Sequence, residues 1–142
     1  MNKQQKEIRI LPMDTKEFEE RGVGVVQQEF FINDLPNRIQ CEYHYKTSGL
    51  STSDGSLVLF QYDNKIIASA IFKESVKYKH LSNEKYKGHL SFYKDTIKIL
   101  QPISLKQIQE LDSDVRKFSN VKWKVKGNFD DIVRFIDEIK IK

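Results

Sequence analysis

Residues 55 to 72, "GSLVLFQYDNKIIASAIF", consist of two apolar runs that meet at Asp63-Asn64. Asp and Asn tolerate the left-handed backbone that a two-residue hairpin turn demands, so the stretch reads as a β-hairpin. On its first arm Leu57 and Leu59, with Gln61 after them, share one face, and Val58, Phe60 and Tyr62 share the other. Both faces are largely apolar, and a strand covered on both sides belongs inside a barrel or sandwich. On the return arm, Ala68 and Ala70 leave room for tight packing or for the floor of a ligand site.

Upstream, "IRILPM" (residues 8 to 13) predicts a short strand stopped by Pro12. Asp14 and Glu17 then resemble a helix-capping pair for a brief helix to about Arg21, ended by Gly22. "VGVVQQEFFI" is rich in β-branched and aromatic residues and predicts a strand, broken by "NDLPNR". "TSGLSTSDG" (47 to 55) is a loop of small residues. Downstream, residues 73 to 89 read as a long polar surface loop, and "LSFYKDTIKIL" as a strand ended by Pro102. "SLKQIQELD" predicts a short helix capped by Ser104, with Leu105, Ile108 and Leu111 at helical spacing. "VKWKVK" alternates strictly, turning Val121, Trp123 and Val125 inward and Lys122, Lys124 and Lys126 outward. The last helix is capped by Asn128, carries Asp130 and Asp131 in its first turn, and lines one face with Phe129, Ile132, Val133, Ile136 and Ile139. That apolar face predicts a lid over the sheet.

The 142 residues suffice for one domain, residues 1–142, with a real core, to which nine Phe, six Tyr and one Trp contribute large buried areas. A single cysteine, Cys41, excludes an internal disulfide and a cysteine-rich zinc site and points to a reducing compartment. No apolar run approaches the roughly 18 to 20 residues of a membrane span, and "MNKQQKEIRI" lacks the apolar core of a signal peptide. The expectation is a cytoplasmic protein with no membrane partner. Net charge is +4, but residues 73 to 126 alone carry 13 Lys and Arg against 6 Asp and Glu. A surplus gathered in one segment attracts polyanions, although a solvated face accounts for such a run equally well.

Enzyme signatures are missing. The sequence has no glycine-rich phosphate loop, no nucleophile elbow and no histidine pair at metal-binding spacing. His44, His80 and His89 are scattered and read as surface or hydrogen-bonding residues, and nothing beside Cys41 in sequence would activate its thiol. No metal and no cofactor is called for. The constellation that remains is aromatic and polar: "EYHYKTS" (42 to 48) places Tyr43, His44, Tyr45, Lys46, Thr47 and Ser48 just before the hairpin. Such a segment offers stacking faces, donors and a cation, as gripping an exposed base requires. Tyr43 and Tyr45 as core residues with wet hydroxyl tips is the competing reading.

From "EYHYKTSGLSTSDGSLVLFQYDNKIIASAIF" to "FYKDTIKILQPISLKQIQEL", the chain resembles the EVE domain of the PUA-like superfamily. "GSLVLFQY" and "KIIASAIF" stand where that family has its apolar strand and its "IVGIAEV" strand. "IKILQPISLKQIQEL" is similar to its strand, Pro-Val-[ST]-Leu and short helix, and "VKWKVKGNFDDIVRFIDEI" to its closing strand and helix. Ser56 replaces the usual acidic residue, and Lys46-Thr47-Ser48 stands in place of an arginine-asparagine pair. The Gly-x-Lys-x-x-Glu-x-Arg signature of the sister ASCH family is absent, which favours the EVE side or a further relative of both.

The resemblance implies an α+β fold, a PUA-like twisted mixed β-barrel or pseudobarrel with short flanking helices and a C-terminal helix. It also implies a cleft that accepts a nucleobase, modified bases included, in DNA or RNA. Tyr43, Tyr45, Lys46, Thr47 and Ser48 would line that cleft, with Ser69 and Phe92 from neighbouring strands. Lys77, Lys79, Lys85, Lys87, Lys122 and Lys124 would contact phosphates. The function expected is therefore nucleic-acid binding without catalysis, beside a nuclease or within phage defence. Two alternatives stand with it: a metal-independent ribonuclease using His89 and Lys46, and a small interaction domain for a peptide or metabolite.

Overall fold

The structure, a computed structural model, describes residues 6–45, 50–78, 86–111 and 129–139. Among these, β1 (Ile8–Pro12), β2 (Tyr43–Tyr45), β3 (Leu57–Tyr62), β4 (Lys65–Lys77), β5 (Gly88–Phe92) and β6 (Lys98–Ser104) form one mixed sheet. The helices are α1 (Val23–Val26), which runs on into π-helical turns over Gln27–Asp34, α2 (Leu105–Leu111) and α3 (Phe129–Ile139).

The hairpin forms as read, with Tyr62 opposite Lys65 and positive φ at both turn residues, 51° at Asp63 and 62° at Asn64. β4 is the spine of the sheet. Its first half lies between β3 and β6, and from Phe72 onward it pairs with β5, which carries β2 on its far side. A register shift between Phe72 and Glu74 takes Lys73 out of the pairing where the partner changes. β1 adds in parallel to β3.

Among the described residues the strand path β1-β3-β4-β5-β2 does not close on itself, so they do not form the closed barrel that the family resemblance implies. Helices cover the two faces instead. Val58, Phe60 and Tyr62 pack with Val26, Phe30, Phe31 and Leu35. Leu57 and Leu59 pack with Ile8, Ile10, Ile66, Leu100 and Ile103 beneath Ile108 of α2 and Ile132 and Ile136 of α3. The division of the first arm into two faces therefore holds, as does the lid role of the last helix.

Residues 23 to 34 are helical, not the strand their β-branched and aromatic content predicts. Val26, Phe30 and Phe31 are all buried, and spacings of four and five place them on one helical face, so tertiary burial overrides local propensity. One further contact fixes the segment. In the β4–β6 pairing the register shifts between Ile66 and Ala68, and Gln27 Nε2 donates there to the Ile67 and Leu100 carbonyls, 2.9 Å each. The amide satisfies acceptors that the irregular ladder leaves over.

Three smaller differences have local causes. β4 continues to Lys77, into the segment read as loop, because β5 pairs with it. Pro102 lies inside β6, in the unpaired interval between Ile99 and Ile103, where no ladder donor is needed. The helix expected to reach Arg21 is a single 3-10 turn, Thr15–Phe18, with Asp14 accepting from Lys16 N at 2.9 Å. α2 begins with a reciprocal cap: Ser104 Oγ accepts from Gln107 N at 3.2 Å, and Gln107 Oε1 accepts from Ser104 N at 2.9 Å. The "VKWKVK" strand and Asn128 lie outside the described residues. Among the described residues no helix is long and apolar enough to cross a membrane.

Candidate functional site

A cavity of about 410 Å³ opens between the Thr15–Phe18 turn, the helical segment from Val23 to Asp34, and β2. Its floor is aromatic. Phe30 meets Phe18 edge-on at 5.1 Å between ring centroids and Tyr43 at 5.8 Å, while His44 and Tyr86 close the far wall, 5.2 Å apart and tilted by 33°. These edge-on and tilted contacts pack the rings against one another, Phe30 and Tyr43 being buried.

The rim is charged and mostly acidic. Glu17, Glu19, Glu29 and Asp34 stand against Arg21 and Arg38. Arg38 makes a two-pronged pair with Asp34, 2.9 Å at each prong, donates to the Glu42 carbonyl at 2.9 Å, and lies 5.1 Å from the centre of the Phe30 ring. It ties the end of the helical segment to β2. Arg21 pairs with Glu19 at 3.2 Å and with Glu29, and its carbonyl accepts from the Tyr62 hydroxyl. Half-exposed pairs such as these add little stability, but they fix where the carboxylates sit.

Burial, then the nearby Glu17 carboxylate, pushes the Tyr43 phenol well above its ordinary value, so it remains a protonated donor. His44 is pushed below its ordinary value, first by burial and then by Arg38 and His89, so its ring is neutral at pH 7.

His44 faces His89 directly across the β2–β5 pair, at a ring separation of 5.9 Å. Glu42, just before β2, places one carboxylate oxygen 3.8 Å from His44 Nε2 and the other 3.7 Å from His89 Nε2. The second ring nitrogen of His89, Nδ1, lies 2.8 Å from the Tyr78 hydroxyl. Separation in sequence hid this cluster, since only the pairing of β2 with β5 assembles it.

Of the residues expected to hold a base, Tyr43 lines the cavity. Tyr45 does not. Its ring lies over Gly88 and borders a separate shallow groove with Leu50, Thr52, Phe72, Lys73 and Lys77. Ser69 and Phe92 are buried in the sheet, 0% and 2% exposed, because their strands are covered on both faces, so neither reaches a ligand. Lys46, Thr47 and Ser48 lie outside the described residues. So do Lys79, Lys85, Lys122 and Lys124. Lys77 and Lys87 are exposed and adjacent: Lys77 pairs with Gly88, and Lys87 N donates to the Tyr45 carbonyl at 2.8 Å. Lys87 directly follows Tyr86 of the cavity wall. Sequence reasoning missed Phe18, Phe30, Glu29, Arg38 and Tyr86. The signals it had were the four-residue spacing of Val26, Phe30, Asp34 and Arg38, the last two of which form an i,i+4 ion pair.

No protein-family profile matches the sequence, and no curated protein is similar to it. Among solved structures, the chain is similar to the crystal structure of ASCH from Zymomonas mobilis, with a TM-score of 0.56 at 7% identity, over 97% of this chain and 99% of that one. The fold is similar to that of this ASCH protein. Two mutant forms of the same Zymomonas mobilis protein match equally, at TM-scores of 0.57 and 0.59 and 6% identity, over 96% of this chain and 100% and 99% of theirs. The PUA-like expectation thus holds at the level of fold, while the EVE branch favoured by the missing ASCH signature is not what the structural likeness returns. At such identity ASCH-type describes the backbone path, and the aromatic floor and acidic rim are properties of this chain.

Proposed function

We propose that this chain is a nucleic-acid-binding module of PUA-like type that seats a single unstacked base in the cavity beside Tyr43. The supporting observation is the cavity itself, a small pocket with an aromatic floor and donors and acceptors on its rim. Its volume lies at the lower end of the range for small-ligand sites, suited to one flat ring system and not to a folded peptide. Base stacking on Phe30, Tyr43 or Tyr86 supplies sequence-tolerant affinity, and edge hydrogen bonds supply choice. The acidic rim narrows that choice. Carboxylates accept from exocyclic amino groups and attract a base made cationic by N-methylation, whereas they repel phosphate. The sugar-phosphate backbone therefore runs away from the rim toward Lys87 and Lys77, and the lysines at 79, 85, 122 and 124 and the Lys46-Thr47-Ser48 stretch are proposed to add contacts to the nucleic acid.

Fluorescence anisotropy with labelled single-stranded RNA and DNA, followed by competition with free nucleosides, tests this reading. Affinity should fall as salt rises, and alanine at Lys77 and Lys87 should flatten that dependence. Tyr86→Ala should weaken binding about 5- to 100-fold, the loss of one stack worth about 1 to 3 kcal/mol. Cytidine and adenosine should compete better than uridine. Wild-type affinity in both Tyr86→Ala and Glu29→Gln would remove the cavity from the binding site.

A further inference from the structure

We propose that Glu42, His44 and His89 form a binding site for a first-row divalent transition metal, zinc(II) being the representative, with water completing its coordination. The proposal stands apart from base recognition because it needs no nucleic acid, although it shares His44 with the far wall of the cavity.

The three side chains bring one ligand atom each to within 4.8 Å of one another. Around a metal with bonds of about 2.0 to 2.2 Å, neighbouring ligand atoms lie roughly 3 to 3.5 Å apart. Oε2 of Glu42 lies 3.8 Å from His44 Nε2 and Oε1 lies 3.7 Å from His89 Nε2, and with one ligand atom from each residue the set spans at most 4.8 Å, so closing it takes about 1 to 2 Å of side-chain rotation. The backbone need not move. His44 and His89 are directly opposed residues of a paired ladder, and Glu42 is anchored through its carbonyl by Arg38.

At 3.7 and 3.8 Å the carboxylate is within ion-pairing reach of both rings but beyond hydrogen-bond length from either, so it lies between two imidazoles without a hydrogen bond to them.

Tyr78 supplies the outer support. When its hydroxyl accepts from His89 Nδ1–H at 2.8 Å, the Nε2 lone pair is directed at Glu42, the arrangement that holds a metal-bound histidine in one tautomer. Two imidazoles and one carboxylate select borderline metals such as zinc over magnesium or calcium, which prefer all-oxygen shells. His89 is the most enclosed of the three, with 11% side-chain exposure against 26% for Glu42 and 32% for His44. One side is therefore open to water, and His44 also borders the cavity. The nearby Arg38 guanidinium opposes a cation, so the single carboxylate carries the attraction.

The test is isothermal titration of metal-stripped, untagged full-length protein with zinc chloride at pH 7.5, without nucleic acid. Cobalt(II) absorption provides a second reading of the ligand set. One equivalent should bind saturably. Glu42→Gln and His89→Ala should each lower affinity at least tenfold, Tyr78→Phe should lower it several-fold, and His80→Ala should leave it unchanged. Thermal melts of the metal-free variants check folding. Should a variant fail to fold, the imidazole NMR signals of the wild type replace it, and zinc must shift those of His44 and His89. Absence of saturable binding, wild-type affinity in both Glu42→Gln and His89→Ala, or unshifted His44 and His89 signals overturns the site. Each of these results leaves the anisotropy experiment on the cavity unaffected.

Discussion

Gln27 offers the most direct test of how the cavity wall is held. Its side-chain amide is buried, 8% exposed, and donates to two backbone carbonyls on different strands, Ile67 of β4 and Leu100 of β6. Gln27→Leu keeps the bulk and removes both donors. Each buried acceptor left without a partner costs about 1 to 3 kcal/mol, and the added apolar burial of leucine returns about 1 kcal/mol. The net loss expected for the two acceptors together is about 1 to 5 kcal/mol. For a chain of this size, about 3 °C per kcal/mol gives a fall in Tm of about 3 to 15 °C. Urea denaturation followed by circular dichroism measures the free energy, and the wild-type and variant m-values should agree if only the folded state changes. Because the same turn carries Val26, Glu29 and Phe30 into the cavity wall, the variant should also bind a nucleoside more weakly than its loss of folded population explains. A Gln27→Leu protein as stable as wild type would refute the view that the amide anchors this helix across the irregular ladder.

Two further perturbations probe other joints. In Gly88→Ala the new methyl would meet the Val76 carbonyl and the Tyr45 ring, whose Cζ would lie 2.6 Å away. The strand is held on both sides, so overpacking should cost about 1 to 3 kcal/mol in chemical denaturation, and Tyr45→Ala in the same chain should recover only the part due to the ring. Tyr62 is buried and its phenol is pushed above its ordinary value of 10.0, first by burial and then by Asp63 and Glu20. The folded state thus holds that proton more tightly than the unfolded chain. The contribution is complete below pH 10 and declines as pH rises through the raised value, so wild-type stability should fall above about pH 10. In Tyr62→Phe that part of the alkaline decline should vanish, and stability near pH 7 should drop by about 1 to 2 kcal/mol because the Arg21 carbonyl loses its donor.

Much of the sheet was legible because it depends on local alternation. The period-two pattern of Leu57 to Tyr62, the Asp63-Asn64 turn and the Ser104 cap are all written within a few residues of where they act. What was not legible depends on partners distant in sequence. The strand reading of Val23 to Ile32 followed propensity, and the helix that forms instead is set by burial against β3 and by two carbonyls more than 35 residues away. The barrel-or-sandwich reading of the hairpin had a similar limit: two apolar faces reveal that both are covered but not by what. Within the site, Tyr43 was visible because it lies beside other aromatic residues, whereas Phe18, Phe30 and Tyr86 converge from three separate segments. Tyr45, one strand position pair further on, belongs to a different groove because the glycine opposite it accepts the ring.

Base recognition in the cavity is tested most directly by amide and aromatic NMR shifts recorded while a short single-stranded RNA is added to the labelled protein. The account predicts saturable changes centred on Phe30, Tyr43, His44 and Tyr86, with smaller ones reaching Lys87 and Lys77. Changes confined to the Tyr45 groove or to the outer face of α3, with the cavity rings unshifted at saturation, would contradict it.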